Sequence, residues 1–63
     1  MEGKEALEIA RKRLLSSEIA PDRLEWHRLE WNWWQFWIIA KDGRKVIVAV
    51  EDLTGEVLGP DDV

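Results

Sequence analysis

His27 is the only histidine in this 63-residue chain, and Glu25 and Glu30 are the carboxylates close enough in sequence to serve it in acid–base chemistry. On a strand, His27 shares its phase with Glu25 and Leu29, so a carboxylate flanks it on one side only. A general base also needs a nucleophile and an orienting group within hydrogen-bond reach. A solvated strand histidine is therefore expected. Ser16 and Ser17 read as helix-end residues, not nucleophiles. Cysteine is absent, which removes disulfides, thiolate zinc sites and cysteine nucleophiles together. The single histidine leaves no His pair for a metal. The adjacent tail carboxylates Asp61 and Asp62 fall well short of the roughly six oxygens that calcium takes. Four glycines at 3, 43, 55 and 59 are too scattered for a phosphate loop. No enzyme, cofactor or metal is expected.

The other chemistry-bearing residues are five tryptophans, Trp26, Trp31, Trp33, Trp34 and Trp37, with Phe36 among them. Successive strand residues point to opposite faces, so Trp33 and Trp34 cannot both enter one core. Part of this run must meet solvent or another chain. Aromatic platforms can stack nucleobases. Thirteen acids against nine bases, net charge −4 and pI near 4.8, argue against phosphate neutralisation. Nucleic acid is not the expected partner; a protein or a second copy of the chain is. The longest apolar runs, Phe36 to Ala40 and Val46 to Val50, are far shorter than the ~20 residues that span a bilayer, so no membrane insertion is expected. The opening Met1-Glu2-Gly3-Lys4-Glu5 lacks a secretory apolar core. A cytoplasmic address follows for the chain as written, and an extracytoplasmic one if it is an excised fragment.

A single domain spans 1–63, small enough to bury only about 60 % of its unfolded surface. Residues 4–16 predict an amphipathic helix with Ala6, Leu7, Ala10 and Leu14 on one side. Arg11, Lys12 and Arg13 fall in its last turns, complementing the helix dipole. Ser16, Ser17 and Pro21 are expected to end it. Residues 23–31 predict a first strand. Leu24 and Trp26 share one phase, and Leu29 and Trp31 the other, so an irregularity near His27 and Arg28 or a turn between Glu30 and Asn32 is required. Trp33 to Lys41 and Arg44 to Glu51 read as a hairpin about Asp42-Gly43. With a two-residue turn, Val46, Val48 and Val50 share a face with Trp33, Trp37 and Ile39. Trp34, Phe36, Ile38, Ala40, Ile47 and Ala49 then share the other. Asp52 to Gly55 predicts a turn, Glu56 to Leu58 a short extended piece, and residues 59–63 a frayed tail.

Three stretches resemble the PepSY domain, a small module of some peptidase propeptides and related envelope proteins. Glu5-Ala6-Leu7-Glu8-Ile9-Ala10 looks like the opening helix of that family, and Asp42-Gly43 sits at one of its strand turns. Val48-Ala49-Val50-Glu51-Asp52-Leu53-Thr54-Gly55-Glu56-Val57-Leu58 is similar to its closing signature, with Glu51 where the family commonly has Asp. The resemblance implies a non-catalytic module that binds, inhibits or regulates a protein, with its Val-x-Val face turned inward.

The expected architecture is α+β, one N-terminal helix on a three-stranded antiparallel sheet. Val46, Val48 and Val50 meet Leu7, Ala10 and Leu14. Trp34, Phe36, Ile38 and Ile47, on the opposite face, form the expected protein-contact surface, because large apolar patches on soluble chains mark interaction sites. The alternative is a self-associating structural domain, a homodimer through that aromatic face.

Overall fold

The computed structural model describes residues 1–63, which run α1 (Gly3–Ser16), β1 (Pro21–Glu30), β2 (Trp33–Ala40), β3 (Lys45–Glu51) and β4 (Val57–Asp62). The strands form one antiparallel sheet in the order β1-β2-β3-β4, with the helix packed on one face. The α+β architecture holds, but the sheet has four strands instead of three. The fourth joins the expected short extended piece, at Val57 and Leu58, to residues 59–62 of the expected frayed tail. Gly59 and Pro60 ordinarily punctuate a strand. Here they fall in an irregularity, after which Asp61 and Asp62 resume pairing with Ile47 and Val46. Gly59 sits at φ 99°, and a Cβ there would lie 2.7 Å from the Ile47 carbonyl oxygen. Only glycine fits without a shift.

Helix α1 buries Ala6, Ala10 and Leu14, one residue per turn along a single stripe. The two small side chains bring the helix close to the sheet. Its C-terminus does not depend on Pro21. Glu18 takes a left-handed φ of 60°; its N–H bonds to the Leu15 carbonyl at 3.0 Å, and that of Ile19 to the Leu14 carbonyl at 2.9 Å. This is the Schellman arrangement, with Glu18 where glycine is usual, and Ile19 packs back onto the core. Ser16 Oγ donates to the Arg13 carbonyl at 2.8 Å, a helix-end role. Arg13 does more than complement the dipole: its guanidinium donates to the carbonyls of Gly59 and Val57, at 3.0 and 3.1 Å. It ties the end of the helix to β4.

The β2–β3 turn has three loop residues, Lys41, Asp42 and Gly43, not two. Gly43 N–H bonds to Ala40 O at 2.9 Å, Ala40 N–H bonds to Arg44 O at 2.8 Å, and Gly43 has φ 91°. A type I turn followed by a left-handed glycine gives this geometry. The register therefore slips by one: Phe36 pairs with Val48, Ile38 with Val46 and Trp34 with Val50. One residue of slip exchanges the faces of a whole strand. Val46, Val48 and Val50 do face α1, but their companions are Trp34, Phe36, Ile38 and Ala40. Trp33, Gln35, Trp37 and Ile39 face away with Ile47 and Ala49. The two-residue turn lies instead at Trp31-Asn32, both at positive φ (52° and 65°) between the paired Glu30 and Trp33.

Strand β1 shifts register between Pro21 and Arg23 and again between Leu24 and Trp26. Both expected alternatives are present: the turn after Glu30, at Trp31-Asn32, and an irregularity about two residues earlier than His27. It reconciles the two phases: Leu24, His27 and Leu29 lie on the helix side, opposite Ile38, Phe36 and Trp34, while Trp26 and Arg28 face outward opposite Trp37 and Gln35. The core is one cluster of Ala6, Ala10, Leu14, Phe36, Ile38, Val46, Val48 and Val50.

Candidate functional site

The strand register divides the expected contact residues. Phe36 and Ile38 are 1 % and 2 % exposed, buried under α1, and Trp34 packs against the same core. They are not an outward surface. Ile47 alone of the four faces away from the helix. The reason is the third loop residue at Lys41, which turns the even-numbered side chains of β2 inward.

The outward face is aromatic all the same, with different members. Trp26 and Trp37, cross-strand partners, stack with ring centroids 3.9 Å apart and planes 11° from parallel. The Arg28 guanidinium carbon lies 5.8 Å and 5.5 Å from those two ring centroids, a cation–π arrangement. Its Nε donates to Gln35 Oε1 at 2.6 Å and its Nη1 lies 3.4 Å from Glu30 Oε2, so the arginine is held against the rings. Trp33, Ile39, Ile47 and Ala49 continue the face, each partly exposed, and Trp26 remains 45 % exposed. Lys45 Nζ, 3.3 Å from Glu25 Oε1, closes one border. No helix or loop covers this side.

His27 is placed with neither candidate carboxylate. Glu25 occupies the bulge and pairs with Lys45, and Glu30 pairs with Arg28. The imidazole lies instead toward Trp34 and Phe36, with ring centroids 6.4 and 6.2 Å away.

Polar order gathers at the β3–β4 turn. Asp52 Oδ1 accepts from Trp34 Nε1 at 2.9 Å and from the terminal amine of Met1 at 3.0 Å. The Trp34 bond first, and the ammonium second, hold its carboxyl below the usual carboxylate range. Glu51 Oε2 accepts from the Thr54 N–H at 2.6 Å, the Thr54 hydroxyl at 2.9 Å and the Leu53 N–H at 2.8 Å. Those bonds, chiefly the Thr54 N–H, lower the Glu51 carboxyl too. Asp42 is lowered in the same way by the Arg44 N–H. Glu51 and Asp42 thereby lock their turns, whereas Asp52 ties Trp34 and the terminal amine to the β3–β4 turn.

The helix-and-meander order defines a small α+β domain whose outer sheet face is aromatic. Comparison with known proteins adds no relative: no protein-family model, curated protein or solved structure matches the chain. No helix is long and apolar enough to cross a membrane.

Proposed function

We propose that this chain is a non-catalytic module that binds a protein partner through the outward face of its sheet, in the manner the PepSY resemblance of its sequence implies. The stacked Trp26–Trp37 pair with Arg28 clamped against it carries the reading. Tryptophan and arginine held rigidly on an open face are the residues in which interface energy concentrates. The pair is pre-ordered, so little side-chain freedom is left to lose on binding. Trp33 and Ile47 extend the same contact.

The self-associating alternative has less support. A chain of 7.4 kDa exposes 4213 Å², which matches the about 4200 Å² expected of a folded monomer of that mass. The eight residues of the core cluster all come from one chain.

The test uses the full chain and a Trp26→Ser/Trp37→Ser variant, with dispersed valine methyl NMR signals as the check that the fold survives. Sedimentation of the parent at micromolar concentration should give a monomer. A protein retained stoichiometrically from an extract by the immobilised parent should bind the variant at least about tenfold more weakly. Equal retention by both sinks the assignment to this face, and a concentration-dependent dimer lost in the variant favours self-association.

A further inference from the structure

On the opposite side of the sheet, α1 leaves β1 incompletely covered. Two cavities open along this seam, of about 280 Å³ and 130 Å³, and they share Leu7 and Leu24 as walls. They adjoin at these two residues along one seam. Its wider end is floored by Phe36 and Trp34 and rimmed by Lys4 and His27. Its narrower end is rimmed by Arg11 and Arg23, with Asp22 the one acid lining either cavity. A chain of net charge −4 thus lines its helix–strand groove with bases.

The strand beside the groove is an open edge. β1 pairs with β2 only. Its first half is bulged and starts with proline, both of which blunt an edge. From Trp26 to Glu30 it pairs with β2 without interruption. The two-residue turn makes Glu30 and Trp33 the bonded closing pair, and antiparallel alternation then turns the main-chain groups of His27 and Leu29 to the free edge. Those are the residues whose side chains lie on the helix side. A strand added there reaches the wider cavity at His27, and its continuation along the bulged half passes Leu24 and Arg23 without ladder bonds.

We propose that the edge of β1 and the α1–β1 groove bind an extended acidic peptide, which adds a fifth strand at His27 and Leu29. It sets one apolar side chain between Leu7, Leu24 and Phe36. Groove-side positions recur every second residue, so the recognised pattern is acid-x-apolar-x-acid, one acid toward Lys4 and His27 and the other toward Arg11 and Arg23. This site lies across the sheet from the Trp26–Trp37 face, and each can fail without the other.

The probe is the capped peptide Thr-Asp-Thr-Phe-Thr-Asp-Thr, titrated into the isotope-labelled full chain and followed by amide NMR and hydrogen exchange. Slower exchange of the His27 and Leu29 amides, with shifts of the Leu7 and Leu24 methyls, is expected. Replacing both peptide aspartates by lysine, or making Lys4→Glu together with Arg23→Glu in the protein, should weaken binding at least tenfold. Both protein positions are exposed, so the fold is expected to persist. N-methylation of alternate peptide amides in the edge-facing phase should abolish binding while leaving the protein unaltered. The proposal is overturned if millimolar peptide perturbs nothing, or if charge reversal leaves affinity unchanged. It is equally overturned if the shifts fall on Trp26 and Trp37, or if the two edge amides are already protected in a peptide-free dimer.

Discussion

Asp52 joins two distant parts of the chain: its carboxylate receives the indole N–H of Trp34, eighteen residues away, and the terminal ammonium. A carboxyl whose folded pKa is depressed contributes stability above its unfolded value, near 4, and that contribution is lost as pH falls through the lower folded value. Asp52→Asn should therefore destabilise the chain at neutral pH, and the gap to the parent should shrink as pH drops below about 4. Urea midpoints across that pH range measure it; a gap independent of pH sinks the claim. The sequence places a turn at Asp52 to Gly55, but its closing bond runs from the Gly55 N–H to the Glu51 carbonyl and the capping carboxylate is that of Glu51, so the turn opens one residue earlier than the Asp-to-Gly spacing implies. The bond of Asp52 to Trp34 is not legible either, since no local pattern encodes a partner on another strand. Trp31 shows the same limit from the other side. It sits at φ 52° and is 88 % exposed, where short polar residues or glycine are usual, so the two-residue turn between β1 and β2 is signalled by the phase conflict of Leu24 and Trp26 with Leu29 and Trp31, and not by turn residues.

Among the elements, the helix and the two central strands follow from apolar spacing, and their boundaries fall within about two residues of expectation. The register does not follow. Asp42-Gly43 is compatible with a two-residue loop or with the last two of three, and only the Ala40–Arg44 pairing decides between them. That one residue carries Trp34, Phe36 and Ile38 from the contact surface into the core, and brings Trp33 and Trp37 out. The second half of the fourth strand is illegible for a related reason: Gly-Pro signals an ending unless a neighbouring strand supplies a place for the irregularity. Gly59→Ala should test this. A Cβ beside the Ile47 carbonyl, on a backbone of positive φ, should cost about 2–3 kcal/mol. The loss should appear as a lower urea midpoint and faster exchange of the Asp61 and Val63 amides. Unchanged exchange there would mean that β4 accommodates the methyl group.

At the scale of the whole molecule, the small core governs behaviour. A chain of 63 residues is stabilised by roughly 3–9 kcal/mol in total. Leu14 is fully buried and is the largest helix side chain in the core. Leu14→Ala should cost about 3 kcal/mol, enough to leave the variant largely unfolded or close to it on warming. Thermal unfolding followed by valine methyl signals measures this, and a shift of only a few degrees would mean that the helix slides in to fill the space. The Trp26–Trp37 stack affects how any such experiment is read. Two indoles at 3.9 Å and nearly parallel have excited states delocalised over both rings. Where their in-plane transition moments are rotated relative to one another, the coupling adds a paired positive and negative band to the far-ultraviolet circular dichroism, superimposed on the signal of the single helix. The spectrum of this chain consequently reports one aromatic pair alongside its secondary structure, and removing Trp26 alone would change its shape in a protein that remains folded.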